Sequence, residues 1–199
     1  LLQCSGTPES SYDKPALNAL ESLAQLELAV GNLIECGEIL ERITTAVSDN
    51  PSFNDTWIGR TVRETRIRLL QRQGRWSRAR EIASDGIRAT QTDRLFETNF
   101  KLLHAESSVM VGHSSAVSTL LSELRDTPLT LVMLGELERI QGRAHAQAAR
   151  LSLARNHYER GLRIFISVGH ALLRMDLARE YKRACRDQTK KSPAPMVPV

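Results

Sequence analysis

Apolar residues recur along this chain at helical spacing, in blocks separated by Gly, Pro, Asn, Asp and Ser. From Pro15 the positions Leu17, Leu20, Leu23, Ala24, Leu28 and Val30 share one stripe, with Asp13 as N-cap and Pro15 in the first turn. Gly37 is the expected bend. Ile39, Leu40, Ile43, Ala46 and Val47 predict a second helix, which stops in Ser48, Asp49, Asn50 and Pro51. A second helical pair starts near Asn54 or Asp55, buries Trp57, Ile58, Val62, Ile67 and Leu70, bends at Gly74, and resumes with Ser77 capping Ala79, Ile82, Ala83, Gly86 and Ile87. The third pair carries Leu95, Phe100, Leu103 and Val109, then Ser114 as cap before Val117, Leu120, Leu121 and Leu124. Thr127 is the expected N-cap and Pro128 the first residue of a fourth pair, with Leu131, Leu134, Leu137, Ile140 and Ala144 followed by Leu151, Ala154, Tyr158, Leu162 and Phe165. Beyond Gly169 a last helix, roughly 171–186, sets Leu173, Leu177, Tyr181 and Ala184 against Arg174, Arg179, Lys182, Arg183 and Arg186.

The blocks repeat. Ala79, Ala116 and Ala154 follow bends and are 37 and 38 residues apart, and Ile39 fills the same place 40 residues before Ala79. A period in that range predicts stacked helical hairpins, each too small to bury its apolar face alone.

Composition supports helix over sheet, because Ala, Leu, Arg and Glu dominate and aromatics are only 5%. The longest nearly apolar stretch, Leu129 to Leu134, is far short of the roughly 20 residues that a transmembrane helix needs, so no membrane partner is expected. The net charge of +4 is dispersed, which by itself assigns no nucleic-acid role. Basic residues are densest from Arg183 to Lys191, before Pro193, Pro195 and Pro198, so 187–199 is expected to be a disordered tail or linker and 1–14 a flexible leading segment. Cys4, Cys36 and Cys185 are odd in number and widely spaced, which suits a reducing cytoplasm. The start at Leu1, without Met, reads as a cut inside a longer protein.

These residues resemble the tetratricopeptide repeat family. Ala79, Ala116 and Ala154 stand at the family's small-residue position, Ala83, Leu120 and Tyr158 four residues on, and Ala46, Gly86 and Gly161 at the next small place. Glu123 departs from the pattern there. Pro51 and Pro128 stand where a repeat closes, whereas the first helices match poorly, with Leu23, Leu26, Glu27 and Val30 in the first copy and Arg63, Arg66, Ile67 and Leu70 in the second. The longer period and the phrase from Tyr158 to Ala178 are similar to divergent repeats of large bacterial signalling and transcription regulators. The resemblance implies an all-α, right-handed superhelical array of about four hairpins plus a C-terminal capping helix, spanning 15–186.

No phosphate loop, metal-binding helix pair or nucleophile elbow is present, so neither enzyme activity nor a cofactor or metal is expected. His104, His113, His145, His157 and His170 are scattered, and none is three or four residues from another; loop or groove-edge positions are expected. Trp76 is expected to pack between helices and Trp57 to begin one. The family's groove-facing offsets imply a concave surface presenting Asn32 from hairpin one, Glu64, Arg68 and Arg72 from hairpin two, Lys101 and Ala105 from hairpin three, and Arg139, Arg143 and Gln147 from hairpin four. That surface is basic. The expected function is a non-catalytic protein-interaction or sensor scaffold of a cytoplasmic regulator, binding an acidic peptide, a partner domain or its own neighbouring domains. A small-molecule effector domain of a transcription activator and a nucleic-acid-binding repeat stand as alternatives. Few aromatics are available for base stacking, so nucleic acid ranks below protein. Arginines paired with Glu64 and Glu138 are the other reading of the same residues.

Overall fold

The computed structural model describes residues 14–189, which form helices and short turns with no strand among them. The helices are α1 (Lys14–Val30), α2 (Leu33–Ala46), α3 (Trp57–Arg72), α4 (Trp76–Ala89), α5 (Arg94–Val111), α6 (Ser114–Arg125), α7 (Leu131–Gln147), α8 (Leu151–Ser167) and α9 (Ala171–Thr189). Lys14 and residues 187–189, from the two expected terminal segments, are therefore helical. The rest of the two expected terminal segments, with the Asp13 cap and Cys4, lies outside the described residues. Among the described residues no helix is long and apolar enough to cross a membrane.

One turn design recurs. Gly31 and not Gly37 makes the first bend: its φ is +93°, a conformation that costs glycine nothing, and the next amide, of Asn32, donates back to the carbonyl of Glu27 at 2.9 Å. Gly37 lies inside α2. The same back-bond joins Arg75 to Leu70 (2.8 Å), His113 to Ser108 (3.0 Å) and Arg150 to His145 (2.9 Å). At the last of these the left-handed residue is Ala149, with φ +56°. Each turn satisfies orphan carbonyls of the helix before it and starts the next helix without a side-chain cap; α4 and α6 begin after Arg75 and His113, so neither Ser77 nor Ser114 is a cap. Side-chain caps occur at the connections between pairs instead. Thr56 accepts from the amide of Gly59 at 3.0 Å to start α3, and Thr130, not Thr127, accepts from Met133 at 3.2 Å to start α7.

The turns set the register of the second helices. Five residues after the left-handed residue of each of these four turns stand Cys36, Ala79, Val117 and Ala154, all 2% exposed or less. Ile39 and Ala116 were the sequence choices for two of these places; the first slip arises because the connection after α2 contains an extra 3-10 turn, Pro51–Asp55, which buries Phe53.

The chain divides into two compact units, Leu1–Glu97 and Thr98–Val199. In the first, Leu17, Ala24 and Leu28 of α1 pack with Cys36, Ile39, Leu40 and Ile43 of α2, and with Phe53, Val62 and Leu69. Glu21 takes the inward place between Leu17 and Ala24, accepting from Thr65 at 3.0 Å and Gln25 at 2.6 Å, so Leu23 and Val30 are turned outward. Leu95, expected inside, is also exposed, as is Trp57 where it begins α3; both lie in the first turn of their helices, ahead of the packed turns. Trp76 is half-buried.

In the second unit, Leu102, Ala105 and Val109 of α5 meet Val117, Leu121 and Leu124 of α6 and Met133, Leu137 and Ile140 of α7. Leu131, at the start of α7, is exposed. Ala154, Tyr158 and Phe165 of α8 form a further cluster with Leu177 of α9, and Leu173, Tyr181 and Ala184 pack against it as their shared stripe predicts. Gly135 and Gly142 of α7 lie directly against the rings of Phe165 and Tyr158, so α8 approaches α7 closely.

Candidate functional site

In the first unit α3 runs antiparallel to both α2 and α4. Leu69 lies against Gly37, and one turn earlier on α3 the Arg66 guanidinium reaches Thr44 at 2.7 Å and Glu41 at 3.1 Å. Between α2 and α4 a groove of about 1080 Å³ remains open, with α3 as its floor. Leu40, Leu69, Leu70 and Ile82 make it apolar below, and Ile34, 81% exposed, stands at its mouth. Glu38, Glu41 and Arg42 line the α2 side, and Arg75 and Arg78 the α4 side. Arg78 makes a 2.8 Å ion pair with Glu81, both well exposed, a contact worth little in water. Arg42 and Arg75 have no ion-pair partner among the described residues.

The second unit treats its arginines differently. Arg139 donates to both oxygens of Glu106 at 2.7 Å and through Nε to Glu136 at 2.8 Å. Arg143 donates to Glu106 at 2.7 Å and to both oxygens of Glu180, one of them at 2.7 Å. The Tyr158 hydroxyl adds a 3.1 Å bond to Glu180. All five charged side chains are 18% exposed or less. Burial pulls the Arg139 guanidinium down, but the charges of Glu106, Glu136 and Glu180 outweigh it and leave it well above its ordinary value; Arg143 is raised by a similar balance of burial against Glu106 and Glu180. Burial, followed by the Glu180 charge, pushes the Tyr158 hydroxyl far above its usual range.

This arrangement corrects the sequence reading of Arg139 and Arg143 as arginines displayed for an acidic ligand. Carboxylates from α5, α7 and α9 already hold them, and Glu138, the partner considered from sequence, instead meets the His157 Nδ1 at 2.7 Å. Ala105 is fully buried in the core. Gln147 is exposed, its amide 3.8 Å from the Met110 sulfur, and Lys101 is half-buried. In the first unit Asn32 lies in the α1–α2 turn, not on a first helix, and donates to Glu27 at 2.6 Å. Arg68 is engaged by Glu64 at 3.0 Å, and Arg72 is exposed.

Two features had no signal in the sequence. Arg42, Arg75 and Ile34 come together because α2 and α4 are held apart by α3, a long-range consequence of packing. His145 and His157 are 12 positions apart yet stack at 5.1 Å, and His157 is buried, contrary to the loop or groove-edge expectation. Among the described residues no group of three or more His, Cys, Asp or Glu side chains could hold a metal ion. Cys36 is buried and Cys185 exposed, both as free thiols. No family model matches this chain, and no curated protein or solved structure does either.

Proposed function

We propose that this chain is a non-catalytic interaction module, built from tetratricopeptide-like hairpins of a cytoplasmic regulator, and that it holds a partner protein in the groove between α2 and α4. The observation that carries this reading is the groove itself: open, apolar at the base, and edged by Arg42 and Arg75, which have no ion-pair partner among the described residues. Ile34, 81% exposed, adds apolar surface at the mouth of the groove. The recurring turn supports the repeat reading, since four hairpins closing on the same back-bond are the unit from which helical arrays are made. The α7 arginines take the opposite part in this proposal, tying helices together within the second unit.

A photo-crosslinking residue at position 34, compared with one at the exposed Ser52, tests the proposal in cells of the source organism. A discrete protein adduct at position 34 that is missing at position 52 is expected. Identical patterns at the two positions, or no adduct at either, would refute an interaction site here.

A further inference from the structure

We infer that the occupant of the α2–α4 groove is an amphipathic helix of a protein partner, with carboxylates flanking its apolar anchors on both sides; this rests on the interaction reading above. The shape argues for a helix. The groove is walled by α2, 14 residues long and so about 21 Å, and by α4, with a third helix beneath. A straight channel between helices accepts the ridge of another helix, read as anchors at i, i+3 or i+4 and i+7. A segment added as a β-strand would instead require an open sheet edge, and the described residues contain no strand.

Charge selects which helix. The lining holds four arginines, Arg42, Arg66, Arg75 and Arg78, against Glu38 and Glu41. Arg66 is spent on Glu41 and Thr44. Arg42 on α2 and Arg75 at the start of α4 stand on opposite walls, each without an ion-pair partner among the described residues. A bound helix with Glu or Asp on both flanks of its apolar stripe meets one guanidinium on each side, and a guanidinium holds a carboxylate through paired N–H donors. Ile34, with Leu33 and Ile82, supplies the apolar contact that buries the anchors.

The test uses the full chain and three fluorescein-labelled helical peptides of about 14 residues, long enough to span the groove at 1.5 Å per residue. All carry leucine at i, i+4 and i+7, with flanks of glutamate, glutamine or lysine. Fluorescence anisotropy is expected to show saturable binding of the glutamate peptide alone. Arg42→Glu and Arg75→Glu should each weaken it about tenfold, the worth of one charge-assisted hydrogen bond. Ile34→Glu should weaken it by a similar factor while leaving the circular dichroism unchanged, because the side chain is 81% exposed. Equal binding of the three peptides, binding that is indifferent to Arg42 and Arg75, or binding of none overturns the inference. So does binding of phosphatidylserine vesicles through the same arginines without peptide binding, which would assign the groove to an anionic membrane surface. A discrete adduct at position 34 with no peptide bound would sink the helix and spare the interaction reading.

Discussion

Arg139 and Arg143 on α7, and Arg42 and Arg75 in the first unit, are the same residue type in opposite conditions. The α7 pair is sealed among Glu106, Glu136 and Glu180, two of them contributed by other helices, and is almost out of water. The groove pair is exposed, and nearby carboxylates are either engaged by Arg66 or turned to solvent. The packing differs in the same sense. In the second unit glycines let aromatic rings approach the backbone of α7, whereas beside the groove Gly37 meets only the end of Leu69 at 3.8 Å, the close approach of the first unit being at Gly59, which lies against the Phe53 carbonyl away from the groove lining. Close packing expels water and makes every uncompensated charge expensive, so arginines there must be paired; looser packing leaves room for a ligand and for arginines that await one.

The largest expected effect breaks the sealed network. Arg139→Met leaves three carboxylates with one guanidinium in a buried site, and should cost about 3–5 kcal/mol of stability in urea unfolding. Arg78→Met, on an exposed pair, should cost less than about 1 kcal/mol. Equal losses in the two variants would erase the contrast between the units.

Glycine replacement sharpens the comparison further. A Cβ at position 142 would lie 2.8 Å from the Tyr158 ring, so Gly142→Ala should destabilise by about 1–3 kcal/mol despite its better helix propensity. Gly37→Ala has only ordinary contact to make and should instead stabilise, by about 0.5–1 kcal/mol. Opposite signs in thermal denaturation are the diagnostic result.

The smallest effect concerns acid. Burial, and then the charges of His157 and Arg150, hold His145 below its ordinary 6.5. As pH falls through 6.5 the unfolded chain binds a proton that the folded chain resists, so stability declines in that window and is unaffected above it. His145→Gln should flatten the decline, seen as urea midpoints that differ less between pH about 7.5 and 5.5. The first unit holds no histidine and should lack this component.

Helical periodicity alone located the helices, including the apolar stripe of α9 and the breaks at Gly74 and Gly169. It was less secure at register. Leu23 looked more suitable for the core than Glu21, and only the hydrogen bonds from Thr65 and Gln25 make the carboxylate the inward residue. Gly37 and Gly31 are both glycines near the first bend; backbone φ separates them, and a letter does not encode it. The candidate arginines were visible as arginines on helices, but their availability was not, because two of the three carboxylates that close on them, Glu106 and Glu180, lie 33 to 41 positions away.

What this sequence determined by itself is the helical character of the chain and where its turns fall, since apolar spacing, glycine and short polar residues act within a few positions of themselves. Which arginines are sealed and which remain open was decided by tertiary structure. Ion pairing between helices depends on interhelical distance and on the water excluded there, and both arise only when the helices pack.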